Sequence, residues 1–105
     1  MNYLNKHLLD VDHLSKDFIY DLMRQTKKIK DGESLNDFSG LDVCALFYED
    51  STRTKLSFQK ACSKLRLNFH NLDIQKSSLN KGESFYNTIK TINSIGMDLF
   101  IIRHF

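Results

Sequence analysis

The residues able to do chemistry in this chain fall into three small groups. Ser51, Thr52, Arg53 and Thr54 follow one another, with Lys55 next. Ser77, Ser78 and Lys81 lie in a later polar stretch, and Arg103 with His104 closes an apolar run. Every one of these side chains donates hydrogen bonds, and Arg53, Lys81 and Arg103 add positive charge. No carboxylate pair, metal-ligand set or nucleophile–base couple stands among them. A set of donors without a nucleophile suits transfer of a group from an anionic, already activated donor. Catalysis would then come from positioning and from stabilising developing oxyanion charge. The hydroxyls and the arginine fork of the first group match a phosphate in particular.

These groups need elements to hold them. Leu41 to Tyr48 is apolar almost throughout, as in a strand covered on both faces. Leu56 to Leu65 has helical character, with Leu56, Ala61, Cys62 and Leu65, helped by Phe58, as its expected buried stripe. Ser51–Thr54 therefore sits where a strand runs into a helix. The unpaired N–H groups and partial positive charge of a helix start attract anions. Asn68–Leu72 reads as a second strand. Phe85, Ile89, Ile92 and Ile95 give the next helix an apolar face, which Gly96 ends, and Leu99–Arg103 reads as a third strand. Ahead of all this, Ser15 caps a predicted helix over 15–30 that stops at Asp31-Gly32.

The expected fold is α/β, a three-layer unit in which a parallel βαβαβ sheet follows an N-terminal helix. Strands joined through helices run parallel with right-handed crossovers, and ligands bind beyond their carboxyl ends. The 50–55 junction, the 73–84 loop and Arg103-His104 all fall at that edge.

Composition narrows the classes. The 105 residues suffice for one domain, with 41% hydrophobic and 27% charged residues, as in an ordinary globular protein. A formal net charge of +2 is too small to argue for nucleic acid or a membrane surface as partner. Cys44 and Cys62 do not form a C-x-x-C pair and read as buried thiols of a reducing, cytoplasmic setting. No run has the length of a membrane span, and the first residues lack the apolar stretch of a signal peptide.

Plainer readings compete at each position. Ser51 and Thr52 could simply cap their helix. Arg53 and Lys81 could be solvated, and His104 could be a satisfied surface histidine. Phe47 and Tyr48 suit the core better than a stacking site. Glu49 and Asp50 are the wrong charge beside a phosphate and are expected to face away.

Phe47-Tyr48-Glu49-Asp50-Ser51-Thr52-Arg53-Thr54-Lys55-Leu56-Ser57-Phe58 resembles the carbamoyl-phosphate signature of the aspartate and ornithine carbamoyltransferases. Ser77-Ser78-Leu79-Asn80-Lys81-Gly82-Glu83-Ser84 resembles the mobile loop of the aspartate branch, and Ile101-Ile102-Arg103-His104 its third phosphate-site element. The resemblance implies transfer of the carbamoyl group of carbamoyl phosphate to L-aspartate in de novo pyrimidine synthesis, with no metal and no organic cofactor. It implies that Ser51, Thr52, Arg53, Thr54 and Arg103 bind carbamoyl phosphate, and that Arg53 and Thr54 also polarise the reacting group. Lys81, with Ser77 or Ser78, would reach into a neighbouring subunit of a homotrimer, which regulatory chains could join. The ornithine branch is the alternative, or a non-catalytic fragment that binds phosphate or joins the trimer.

The resemblance spans nearly all of the 105 residues but only roughly the first third of a family member. Residues 1–105 match the N-terminal part of the carbamoyl-phosphate-binding domain, and the aspartate-binding domain is absent. The 105 residues alone are therefore expected to be inactive. Lys55 replaces an arginine of the family pattern, Phe105 a proline, and Arg66 a glycine that would take a left-handed conformation.

Overall fold

The computed structural model describes residues 7–73 and 84–104. The chain divides into two compact units, with the boundary between Leu35 and Asn36.

The first unit holds α1, Lys16–Lys30. The Ser15 hydroxyl accepts a hydrogen bond from the Phe18 amide at 3.0 Å, satisfying one of the helix's open donors. Asp17 in the first turn and Lys27, Lys28 and Lys30 in the last suit the helix dipole. At the far end the Gly32 amide donates to Ile29 and the Glu33 amide to Lys28, a Schellman closure in which Gly32 takes φ +98°. Phe18 is buried, whereas Leu22, Met23 and Ile29 on the apolar stripe remain exposed.

The second unit is the expected parallel sheet. Its strands are β1 (Asp42–Phe47), β2 (Asn68–Asp73) and β3 (Leu99–Arg103), with α2 (Thr52–Lys64) and α3 (Phe85–Ile95) between them. The strand order is β2-β1-β3 and both pairings are parallel. From the central β1, the first crossover moves one way across the sheet and the second moves back the other way. Two crossovers of the same hand therefore lay α2 and α3 on opposite faces, giving three layers.

Pleating sends Cys44, Leu46 and Tyr48 to one face and Val43, Ala45 and Phe47 to the other. On the first face Cys44 and Leu46 form the core with Ile92 of α3, and Ile89, Leu72, Met97 and Phe100 pack around them. On the second, α2 lies against β1 and β2 and buries Cys62. β1 is buried from Val43 to Phe47, which accounts for its unbroken apolar run. Both cysteines are unpaired thiols, and burial pushes each thiol above its ordinary pKa.

The stripe expected for α2 is corrected. Leu56 is 62% exposed, Ala61 and Phe58 are also exposed, and Cys62 is the buried residue of the helix. At 3.6 residues per turn Leu56 lies about 120° around the axis from Cys62, too far to share its face. The end of α2 matches expectation: Arg66 takes φ +63°, its amide donates to Ser63 and the Leu67 amide donates to Cys62. This is the closure that Gly32 makes for α1, built here on an arginine. Gly96 closes α3 in the left-handed region, with φ +111°.

Candidate anion site at the carboxyl edge of the sheet

β1 leaves the sheet at Phe47 and turns through Tyr48–Asp50 into Ser51, the N-cap of α2. Ser51 makes no side-chain capping hydrogen bond, unlike Ser15 of α1 and Ser84 of α3. The plain capping role is thus not taken up by Ser51. Geometry leaves the first amides of α2 without intrahelical acceptors, and the Ser51 side chain does not cap them. Thr52 and Arg53 are exposed, and Ser51, Thr54 and Lys55 are half-buried. Among the described residues no hydrogen bond or ion pair engages the Arg53 guanidinium. The Lys55 ammonium lies 5.5 Å from the centre of the Phe47 ring, drawn back over the sheet by a cation–π contact.

β3 brings Arg103 to the same edge. Phe47 and Arg103 are register partners, and the Tyr48 amide donates to the Arg103 carbonyl at 2.9 Å. The hydroxyl-rich helix start and the second arginine, far apart in sequence, therefore belong to neighbouring strand ends. Ser77, Ser78 and Lys81 lie outside the described residues, as does Phe105.

Two features of this edge were not expected. Glu49 does not face away: its Oε1 accepts from Arg103 Nε at 2.7 Å, with the two side chains 39% and 46% exposed. The parallel pairing of β1 with β3 makes these residues neighbours, so the acid offsets the charge of Arg103. The second feature is a ring cluster on the opposite face. The His104 ring lies 4.6 Å from that of Tyr48 and 5.6 Å from that of Phe85, and the Tyr48 and Phe85 rings are 5.7 Å apart. Tilted aromatic pairs at such spacing contribute about 0.5–1.5 kcal/mol beyond the area they bury. Phe47 is buried, as expected of a core residue.

A family model, aspartate/ornithine carbamoyltransferase, carbamoyl-P binding domain, matches residues 6–105. The chain belongs to this carbamoyltransferase family. A relative within it, the aspartate carbamoyltransferase catalytic subunit of Staphylococcus epidermidis, is 50% identical over 100 residues, covering 94% of this chain and 34% of the relative. Among solved structures, aspartate transcarbamoylase from Trypanosoma cruzi in complex with carbamoyl phosphate matches with a TM-score of 0.78 and 36% identity, over 94% of this chain and 33% of that one. The catalytic subunit of M. jannaschii aspartate transcarbamoylase matches with a TM-score of 0.79 and 32% identity, over 94% of this chain and 34% of that one. The carbamoyltransferase chain described here thus spans about a third of the length of these relatives.

Within that carbamoyltransferase frame, no local signal in the sequence pointed to the Glu49–Arg103 pair, because its partners are 54 residues apart. The ring cluster carried a fainter signal. Tyr48, Phe85 and His104 each stand next to the end of a predicted element.

Proposed function

We propose that residues 1–105 form the N-terminal part of the carbamoyl-phosphate-binding domain of an aspartate carbamoyltransferase, and that the edge described above grips carbamoyl phosphate. The observation that carries this reading is the pairing of Phe47 with Arg103, which sets the Ser51–Thr54 helix start beside a second arginine. The relatives support the aspartate branch, and the solved Trypanosoma cruzi structures include complexes with carbamoyl phosphate, with carbamoyl aspartate and phosphate, and with both substrates.

In this reading Ser51, Thr52, Arg53 and Thr54 hold the phosphate with hydroxyls, guanidinium and the amides of α2. Arg103 gives up part of its contact with Glu49 to the same dianion. The α-amine of L-aspartate attacks the carbonyl carbon, forming a C–N bond. The C–O bond to phosphate breaks, phosphate leaves with the electron pair, and the proton lost by the amine nitrogen passes to an oxygen of the departing phosphate. Arg53 and Thr54 stabilise the oxyanion that develops on the carbonyl oxygen and the charge on the leaving phosphate. Donors fixed before the reaction do this at little reorganisation cost.

Lys81, with Ser77 or Ser78, would complete the site of a neighbouring subunit in a homotrimer, with or without regulatory chains. L-Aspartate would bind through a domain outside these 105 residues, so the isolated chain is expected to bind carbamoyl phosphate without turning it over. A cytoplasmic location fits two buried, unpaired thiols and the lack, among the described residues, of a helix long and apolar enough to cross a membrane.

Calorimetric titration of carbamoyl phosphate into the wild-type chain and Arg53→Ala tests the reading. Wild type should bind at least about tenfold more tightly, the scale of one lost charge-assisted contact. Equal binding by both, or none by either, would reject it.

A further inference from the structure

We propose that His104 is a positioning residue that holds Arg103 in place from the opposite face of the sheet. The proposal rests on the reading that Arg103 contacts carbamoyl phosphate.

The end of β3 is joined to the end of β1 in the plane of the sheet and on both of its faces. In the plane of the sheet, the Tyr48 amide donates to the Arg103 carbonyl at 2.9 Å. On the α2 face, Arg103 Nε donates to Glu49 at 2.7 Å. On the α3 face, the His104 ring packs against Tyr48 at 4.6 Å and against Phe85 at 5.6 Å. Successive strand residues point to opposite faces, so Arg103 and His104 grip the two sides of one strand end.

The contacts respond differently to an anion. A phosphate dianion competes with the Glu49 carboxylate for the Arg103 guanidinium, so the hold on the α2 face weakens as ligand binds. The ring contacts lie on the other face, away from the Arg103–Glu49 pair. They persist in the bound state. Arg103 is the last residue of β3, and strand ends fray most readily. The ring cluster is then the side-chain anchor that keeps the Arg103 backbone in register with Phe47 while its guanidinium is on the ligand. Phe85 opens α3, so the cluster also ties that helix start to both strand ends.

A role confined to general stability would make the effects of His104 and Arg103 on affinity independent. A role through Arg103 makes them overlap. The test titrates carbamoyl phosphate into the wild-type chain and the variants His104→Ala, His104→Phe, Arg103→Ala, Arg53→Ala and the Arg103→Ala/His104→Ala double variant. His104→Ala should weaken binding about fivefold, and the double variant should bind no more weakly than Arg103→Ala. His104→Phe keeps a ring in the cluster and should stay within about twofold of wild type. Wild-type affinity in His104→Ala overturns the proposal, as does a double-variant loss equal to the product of the single losses. If wild type does not bind, or Arg53→Ala binds as wild type does, the carbamoyl-phosphate reading fails and takes this inference with it. Normal dependence on Arg53 and Arg103 with an independent His104 effect overturns the inference alone.

Discussion

Glu49 Oε1 lies 2.7 Å from Arg103 Nε, so an acid from the end of β1 holds the base at the end of β3. Both side chains are partly solvated, and a pair of this kind contributes about 0–1 kcal/mol to stability. Its larger effect falls on the anion. Glu49→Gln removes a competing negative charge beside Arg103 and should tighten carbamoyl phosphate binding about two- to fivefold at low salt. The unfolding midpoint should hardly move. Calorimetry at two salt concentrations checks this, and weaker binding by Glu49→Gln would show that the acid supports the site.

Arg66 occupies the left-handed position of a Schellman closure, with φ +63°, where a side chain is strained. Arg66→Gly should raise stability by about 0.5–1 kcal/mol, the relief of strain outweighing the extra freedom of glycine in the unfolded chain. The same closure on α1 already uses Gly32, at φ +98°, and Gly32→Ala should cost about 1 kcal/mol. Urea unfolding of both variants measures the two effects, which should have opposite signs.

At the amino end of the sheet, His70 Nε2 lies 2.9 Å from Asp42 Oδ1, and this hydrogen bond holds the Asp42 carboxyl below its ordinary pKa. A depressed carboxylate pKa gives stability that is present above the unfolded-state value and is lost as pH falls through the folded-state value. Asp42→Asn should therefore be less stable than wild type at neutral pH, and the gap should close below about pH 4. Urea midpoints across that range decide it, and a gap independent of pH would remove Asp42 from the acid transition.

Much of this architecture was legible from short-range signals. The apolar run of β1, the cap at Ser15 and the stops at Gly32 and Gly96 mark element ends through local backbone chemistry. Arg66 was legible too, but through the family resemblance, which has a glycine at that helix end. What stayed hidden depended on strand order. β1 lies between β2 and β3, and this alone brings Glu49 to Arg103 and Tyr48 to His104. The buried face of α2 was misjudged for a related reason. The helix docks on β1 and β2 through Cys62, and Leu56, though the more apolar residue, lies on another side of the axis. Of the candidate site, the Ser51–Thr54 turn and Arg103 were visible as motifs, but their neighbourhood was not.

Carbamoyl phosphate binding at this edge is read out by a map of backbone amide chemical shifts in the 105-residue chain as the ligand is added, with inorganic phosphate in parallel. The largest saturable shifts should fall on Ser51 to Lys55 and on Arg103 and His104, and both sets should disappear in Arg53→Ala. Saturable shifts centred on the lysine-bearing end of α1, or an unchanged response in Arg53→Ala, would contradict the account.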